Sequence, residues 1–281
     1  MTSQSQSSDI LREWRESAHA WTKHRATLRT MLGPLTPPLI EDTRIEMGHS
    51  VLDVAGGTGE PALTIAETVG PSGSVTCTDA IGEMVAAAES EARTRGLTNV
   101  TFRQCTAESL PFADDSFDRV VSRLSAMFFP DEAFGEMLRV TKSGGRVGFV
   151  VWDKSELNPY SYVVTDIVAQ YGEVTPVDPN APGAFRFAEP GKLATLLTEA
   201  GAIDPHERIF KFAIAAPISP VEFWDLRTGI SDVLRAKLAK LSETDRLAIG
   251  EKVKDAVREY FPNNEMKFPA QMRIVTASKP V

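Results

Sequence analysis

A glycine-rich segment, residues 53–62 (DVAGGTGEPA), holds groups that could bind a nucleotide-like ligand. It follows an apolar run and precedes a helical pattern, and its glycines fit the loose pattern G-x-G-x-x-G/A. Glycines at such a turn allow tight backbone turns and close approach of a ligand. Asp79 ends the next apolar run, twenty positions after Gly59, where a carboxylate can accept hydrogen bonds from ribose hydroxyls. The spacing predicts a cofactor that contains a nucleoside.

Two carboxylates flank this glycine segment, Asp53 just before it and Glu60 just after Gly59. A dinucleotide places its pyrophosphate at the start of the following helix, where the helix dipole favours anions. Two negative charges there oppose a pyrophosphate and favour a cationic group, such as the ammonium of a methionine moiety. The local charge favours S-adenosylmethionine over a nicotinamide dinucleotide, and a nicotinamide-dependent reductase stays as an alternative.

Strand and helix patterns alternate along the first half of the chain, which indicates βαβ units and a parallel sheet. The predicted strands cover 50–55, 73–80, 99–105, 117–123 and 146–152, and the predicted helices cover 61–69, 81–95 and 131–141. A long amphipathic helix over 10–32 precedes them. The later predicted elements are a short helix near 160–171, a helix over 189–202, a strand over 204–214, two or three helices within 218–261 and a strand over 272–280.

Composition excludes several classes of protein. The chain has 281 residues, of which 42% are hydrophobic and 24% charged, which suffices for a packed core. Its net charge of -8 offers no general attraction for nucleic acid or an anionic membrane surface. Two cysteines cannot build a disulfide framework, and no stretch reaches the ~18 apolar residues that span a bilayer. We therefore expect a cytoplasmic protein with neither nucleic-acid binding nor membrane insertion.

Four ordered segments carry a family resemblance. They are DVAGGTGEPALTIAE, VTCTDAIGEMVAAAE, CTAESLPFADDSFDRVVSRLSAMFFPD and KSGGRVGFVVW. Together they resemble the class I S-adenosylmethionine-dependent methyltransferases, especially the ubiquinone/menaquinone-biosynthesis type. The resemblance is strong over 48–152 and weak over 189–214. It implies an α/β fold: a doubly wound, Rossmann-like, mostly parallel sheet of seven strands, the last one antiparallel, with a helical cap.

The resemblance also implies which residues bind the cofactor. Asp53 and the backbone of Ala55 and Gly57 would line its methionine end, Asp79 would bind the ribose, and Ala107 would offer its backbone N–H to the adenine. The full expected set is Asp53, Ala55, Gly56, Gly57, Gly59, Asp79, Ala80, Met84, Thr106, Ala107, Glu108 and Arg123. Thr106 stands where many relatives have Asp, and Met127-Phe128-Phe129 stands where many have Leu-His-His. The acceptor side is thus expected to be apolar.

The acceptor end is expected where the fourth and fifth strands finish, because ligands bind at the carboxyl ends of strands in such sheets. The expected pocket residues are Trp21, Met127, Phe128, Trp152 and Tyr160, whereas Trp14 is predicted to make core contacts. Arg123 either binds an acidic group of the acceptor or forms a buried ion pair with Asp53, Glu108 or Asp131. His24 and Arg123 are the catalytic candidates, and no metal ligand set is expected.

The sequence therefore predicts an enzyme that transfers a methyl group in-line to O, N, S or C of a small, partly apolar molecule, with S-adenosylhomocysteine as a product. A cyclase or decarboxylase on the same fold and a catalytically silent, cofactor-binding regulatory module are the alternatives. The expected organisation is a disordered tail (1–9) and one domain (10–281). Within it, 48–152 binds the cofactor, 10–47, 153–187 and 215–268 form the cap, and 189–214 and 269–281 complete the sheet.

Overall fold

A single mixed sheet of seven strands organises the structure, a computed structural model that describes residues 3–171 and 178–281. The strand order is β3-β2-β1-β4-β5-β7-β6, with β7 antiparallel to both of its neighbours. The strands are β1 (Ser50–Val54), β2 (Ser74–Asp79), β3 (Val100–Gln104), β4 (Phe117–Arg123), β5 (Thr141–Trp152), β6 (Ile203–Ala216) and β7 (Met266–Ser278). This confirms the predicted doubly wound sheet with an antiparallel last strand.

Helices cover both faces of this sheet and one of its ends. They are α1 (Ser3–Lys23), α2 (Arg25–Leu32), α3 (Thr36–Thr43), α4 (Ala62–Val69), α5 (Gly82–Thr94), α6 (Glu132–Val140), α7 (Pro159–Ala169), α8 (Lys192–Glu199), α9 (Pro220–Ile230), α10 (Asp232–Ala239) and α11 (Glu243–Ala256). In the described part of the chain, none of them has both the length and the apolar character needed to cross a bilayer.

The core lies in two layers because side chains alternate between the faces of a strand. On β1, Val51 packs into one hydrophobic cluster, whereas the adjacent Leu52 packs into the other. The first cluster includes Ile65 of α4, and the second includes Phe134 of α6. Burial of both faces explains why the strands appear in the sequence as continuous apolar runs.

Two predicted boundaries differ from the structure. The helix expected over 10–32 is two helices that meet at His24, and α1 begins at Ser3, inside the segment expected to be a tail. Strand β5 begins at Thr141, because residues expected to form a turn extend the strand instead. Part of the expected cap segment 153–187, namely residues 172–177, lies outside the described residues.

The parallel register brings the carboxyl ends of the strands together. Asp53 of β1 pairs with Cys77 of β2 and with Val121 of β4, so that the loops after these strands meet at one edge of the sheet. Helix α1 packs against α5 and α9. The N-terminal helices therefore lie beside the edge at which ligands bind in sheets of this type.

Candidate active site

A cleft of about 1310 Å³, open mouth included, lies at the carboxyl ends of β1, β2 and β4. The lining residues come from the loops after β1, β2, β3 and β4, and from helices α1 and α2. The structure thus brings loop residues and cap residues to one site.

The loop after β1 presents its backbone to this cleft. The Gly56 N–H donates to the Thr78 carbonyl at 2.9 Å, and the Gly57 N–H donates to Asp79 Oδ2 at 3.0 Å. Gly57 has φ +57, and a Cβ added there would meet nothing within 4 Å. At Gly56 the opposite holds, since an added Cβ would lie 2.5 Å from Asp53 Oδ2. The loop is therefore tightly packed beneath Gly56 and open above Gly57, as a cradle for a ligand requires.

Asp79 stands at the rim of the cleft, as predicted. Its Oδ1 accepts the Ile81 N–H at 2.9 Å, and its Oδ2 accepts the Gly57 N–H at 3.0 Å. Burial raises the pKa of Asp79, and these backbone donors oppose that rise. Each carboxylate oxygen has capacity for a further hydrogen bond. The expected neighbours Ala80 and Met84 also line the cleft.

Three residues expected at the adenine end, Thr106, Ala107 and Glu108, line the same cleft. They follow β3, on the far side of Asp79 from the glycine loop. Ala55 and Gly56 line it as well, whereas Gly59 does not. A Cβ at Gly59 would lie 2.8 Å from Leu63 Cδ1, so Gly59 serves the packing of the loop rather than ligand contact.

Asp53 lies beneath the loop and does not line the cleft. Its side chain is fully buried, and its Oδ2 accepts the Ala62 N–H at 3.0 Å. Its Oδ1 has no hydrogen-bond partner among the described residues. Burial raises the pKa of Asp53 to about 7, although the charge of Arg123 opposes this rise. Asp53 thus holds the loop, and its ionisation is costly unless a nearby cation stabilises the charge.

This raised pKa predicts a pH-dependent stability. The folded protein keeps the Asp53 proton up to about pH 7, whereas the unfolded chain releases it near 3.8. We expect the contribution of Asp53 to the free energy of unfolding to fall as pH rises through this window, by up to about 4 kcal/mol, and to stay constant above it. Urea unfolding of the wild type and Asp53→Asn at pH 5–8 measures this. A difference between the two proteins that does not change with pH would contradict the assignment.

Glu60 does not supply the free negative charge that the sequence suggested. Its carboxylate bonds Arg95 at 2.7 Å and accepts the Thr64 hydroxyl at 2.7 Å. Arg29 of α2 lies 3.8 Å away from the same carboxylate. The charge of Glu60 is therefore neutralised by its neighbours, and the preference for a cationic ligand group rests on Asp53 alone.

The other wall of the cleft is apolar and aromatic. The Trp14 and Trp21 rings of α1 lie 5.8 Å apart, and Trp14 meets the Phe128 ring edge-on at 5.4 Å. Both tryptophans also pack against Ile81 and Met84. The expected pocket residues Trp21 and Phe128 thus line the cleft. Trp14 makes the predicted core contacts, with Ile81 and Met84, and it also lines the cleft, because α1 crosses the cleft with Trp14 turned toward it.

Other expected acceptor residues lie away from the cleft. Met127 is fully buried in the core, whereas its neighbour Phe128 lines the cleft, because the short 3-10 turn Ala126–Phe128 sends adjacent side chains in different directions. Trp152 and Tyr160 stack on each other with ring centroids 6.3 Å apart. His24 lies at the junction of α1 and α2 and does not line the cleft. Burial and Lys23 lower the pKa of His24, and Asp225 opposes this.

Arg123 lines the cleft, but not in the ion pairs that the sequence suggested. No carboxylate of the described residues lies within 4.0 Å of its guanidinium. Its partners are the Leu32 carbonyl, the Thr36 hydroxyl and the Glu60 carbonyl. Asp131, an expected partner, instead bonds Arg186.

Sequence reasoning missed much of the cap side of the cleft. The lining residues that were not predicted, on the cap side and in the loops, are Ile10, Leu11, Arg25, Leu28, Arg29, Leu32, Thr58, Ile81, Cys105, Leu124, Ser125 and Pro130. Those on α1 and α2 follow the helical spacing that identified the helix, and this spacing shows an apolar face without showing what it covers. Leu124 has φ +62, a backbone conformation that the sequence does not reveal.

The residues fit S-adenosylmethionine. A carboxylate at the ribose position, an open glycine loop and a buried carboxylate oxygen without a partner suit the nucleoside, the methionine backbone and a cationic group, in that order. No group of three or more His, Cys, Asp or Glu residues in the described chain could hold a metal ion. Together with the mixed seven-stranded sheet, this site defines a class I S-adenosylmethionine-dependent methyltransferase.

Comparison with known proteins supports this class of enzyme. Residues 45–170 match the model of a family described as "Methyltransferase domain". The ubiquinone/menaquinone biosynthesis C-methyltransferase UbiE of Pasteurella multocida is 32% identical over 199 residues, which cover 68% of this chain and 70% of that enzyme. The chain therefore belongs to the family of class I, S-adenosylmethionine-dependent small-molecule methyltransferases that includes UbiE.

Solved structures share the fold. The YcgJ protein of Bacillus subtilis matches with a TM-score of 0.56 and 21% identity, over 88% of this chain and 98% of that chain. The cyclase SpnF matches with a TM-score of 0.54 and 23% identity, over 95% and 96% of the two chains. Identities this low show a common fold and do not choose between methyl transfer and cyclisation.

Proposed function

We propose that this methyltransferase transfers the methyl group in-line to O, N, S or C of a small, partly apolar acceptor that binds against Trp14, Trp21 and Phe128. The observation that carries the proposal is the division of one cleft into two halves. One half has polar backbone and the Asp79 carboxylate, and the other has aromatic rings. In the proposed reaction the cofactor is the polar ligand and the acceptor is the partly apolar one.

In the cofactor half, we assign roles by position. Asp79 would bind the ribose hydroxyls, Ala80 and Met84 would flank the adenine, and the Ala107 N–H would meet a ring nitrogen. Gly56 and Gly57 would hold the methionine end, with the Asp53 charge below them. When bound, S-adenosylmethionine supplies an electrophilic methyl group on a positive sulfur. The protein's contribution is to fix that group's position and to stabilise its charge.

In the acceptor half, the protein contributes orientation and exclusion of water. Proximity and alignment of two reactants can supply about 7–11 kcal/mol of a barrier. The rings of Trp14, Trp21 and Phe128 provide an apolar surface from which a bound acceptor would displace water. We assign no general base, because His24 lies outside the cleft and thiolates, free amines and stabilised carbanions react without one.

The helical segments are proposed to act as a cap over these two halves. Helices α1 and α2 already line the cleft, and α9 and α10 contact α1 from outside. Because the cap side chains form the aromatic wall, the cap would set acceptor choice. We place the enzyme in the cytoplasm, with a small molecule and not nucleic acid as its partner. This is supported by free Cys77 and Cys105 and by the net charge of -8.

Native mass spectrometry tests the proposal directly. We expect the purified protein to retain S-adenosylmethionine or S-adenosylhomocysteine and to ignore NADH. Incubation with S-adenosylmethionine and panels of phenols, quinols, thiols and amines should then give an acceptor heavier by one methylene, with an equal amount of S-adenosylhomocysteine. Retained cofactor with a converted, unmethylated substrate would show the cyclase or decarboxylase alternative instead. Binding of neither cofactor form would overturn the cofactor assignment.

A further inference from the structure

Arg123 occupies a position between the two halves of the cleft. It ends β4, and the next residue, Leu124, turns the backbone with φ +62 while its N–H still bonds the Val150 carbonyl at 2.8 Å. Positive φ at a non-glycine residue is a strained conformation that is often found at functional sites. Leu32 and Leu124 both line the cleft, and the Leu32 carbonyl accepts a hydrogen bond from the guanidinium. Arg123 is thus a partly buried cation at the sheet end of the cleft.

The hydrogen bonds of Arg123 use only part of its guanidinium. Nη1 donates to the Leu32 carbonyl at 3.0 Å and to the Thr36 hydroxyl at 2.9 Å, and Nη2 donates to the Glu60 carbonyl at 3.2 Å. A guanidinium carries five N–H donors. Among the described residues, one N–H of Nη2 and the Nε–H therefore have no acceptor. These two donors are on neighbouring nitrogens, and such a pair suits the two oxygens of one carboxylate.

The protein itself leaves the positive charge without a direct counterion. The Glu60 carboxylate is held by Arg95, and the Asp53 carboxylate is held by the Ala62 N–H. Burial lowers the pKa of Arg123, and the charges of Glu60 and Asp53 oppose this from beyond ion-pair distance. A partly buried cation without a counterion is costly, so an anionic ligand group would gain more here than at an exposed arginine.

The other two arginines of the cleft each have a carboxylate within 4.0 Å. Arg25 bonds Glu91 at 2.8 Å, and Arg29 faces Glu60 at 3.8 Å and is about half exposed. Both lie on α2, whereas Arg123 lies on the sheet floor. Among the cleft-lining arginines of the described chain, Arg123 alone has no carboxylate within 4.0 Å.

We propose that Arg123 is an anion-binding residue that receives a ligand carboxylate through Nε and Nη2, with Thr36 and two backbone carbonyls holding the guanidinium in place. The inference rests on the proposed function, since the carboxylate belongs either to the methionine end of the cofactor or to an acidic, apolar acceptor. In the second case Arg123 determines acceptor specificity. In both cases the side chain binds and does not take part in proton transfer.

Two matched pairs of probes test this by isothermal titration calorimetry. The first pair is S-adenosylhomocysteine and its decarboxylated analogue, and the second is 2-naphthoate and 2-naphthamide in the presence of saturating S-adenosylhomocysteine. We expect the wild type to prefer the carboxylate in at least one pair by about 10- to 100-fold. Arg123→Met should abolish that preference, and Arg123→Lys should keep part of it. A preference in the first pair identifies the cofactor carboxylate, and one in the second identifies the acceptor.

Arg119→Met is the matched control. Arg119 lies on the same strand and also donates to backbone carbonyls, those of Thr43, Arg44 and Asp118, but at the other end of the sheet. It should leave both preferences unchanged. The inference is overturned if the wild type shows no preference in either pair, a result that needs no variant to fold, or if Arg123→Met keeps the preference. Absence of any S-adenosylhomocysteine binding would instead contradict the proposed function.

Discussion

Replacement of Asp79 with alanine should weaken the binding of S-adenosylhomocysteine by at least about 100-fold. Asp79 holds the Gly57 and Ile81 N–H groups at 3.0 and 2.9 Å, so its loss frees the glycine loop and the start of α5 together. It also removes the acceptors proposed for the ribose hydroxyls. Hydrogen bonds to a charged group contribute about 1.5–3 kcal/mol each, and 1.4 kcal/mol corresponds to a tenfold change in affinity. Calorimetric titration measures the change.

Asp118→Ala is the matched control for this variant. Asp118 also accepts a backbone N–H, that of Ser50 at 2.8 Å, and it pairs with Lys142 at 2.8 Å, but it lies at the amino end of β4. We expect Asp118→Ala to lower thermal stability and to leave the dissociation constant for S-adenosylhomocysteine within about threefold of the wild type. Equal losses of affinity in both variants would show that Asp79 acts on the fold and not at the ligand.

Replacement of Gly56 with alanine is expected to have the second large effect. The added Cβ would lie 2.5 Å from Asp53 Oδ2 and 2.6 Å from Cys77 Sγ, both inside contact distance. Either the loop or the Asp53 carboxylate must move, and Asp53 is held by the Ala62 N–H. We expect destabilisation by about 1–3 kcal/mol and a loss of cofactor affinity of at least about 30-fold, because the loop that cradles the ligand shifts. Urea unfolding and titration measure the two effects.

Gly135→Ala provides the comparison for Gly56→Ala. Gly135 lies inside α6, and an added Cβ there would meet nothing within 4 Å. Alanine in a helix interior is favoured over glycine by about 1 kcal/mol, so this variant should be as stable as the wild type or more stable, with unchanged affinity. If Gly56→Ala behaved like Gly135→Ala, the tight packing under the loop would not be needed for cofactor binding.

Local sequence pointed to most of the residues that line the proposed cofactor half of the cleft. The loop over 53–62 and Asp79 each follow a strand directly, and parallel strands bring their carboxyl ends to one edge of the sheet. Alternating apolar runs and helical patterns predicted the sheet for the same reason, since each element is encoded by neighbouring residues. Local sequence did not reveal that the Glu60 carboxylate is paired, because its partner Arg95 is 35 positions away.

The acceptor half depended on contacts between distant segments. Trp14 was assigned to the core, and Trp152 and Tyr160 to the pocket, yet Trp14 lines the cleft as well as packing on the core, whereas Trp152 and Tyr160 stack on each other outside the cleft lining. An amphipathic pattern marks an apolar face but does not say whether a sheet, another helix or a ligand covers it. Met127 is buried in the core and Phe128 lines the cleft, although the two residues are adjacent and both apolar.

The sequence by itself determined the order of the elements and the position of the cofactor loop, because these follow from patterns within short stretches, and the resemblance of four such stretches to a known family supplied the class of enzyme. Only the tertiary structure decided which aromatic rings face the cleft and how Arg123 is held. The partners of Arg123 come from α2, from the start of α3 and from the cofactor loop, 91, 87 and 63 residues away along the chain. These distant residues are brought together by the packing of helices over the sheet, and no local pattern encodes that packing.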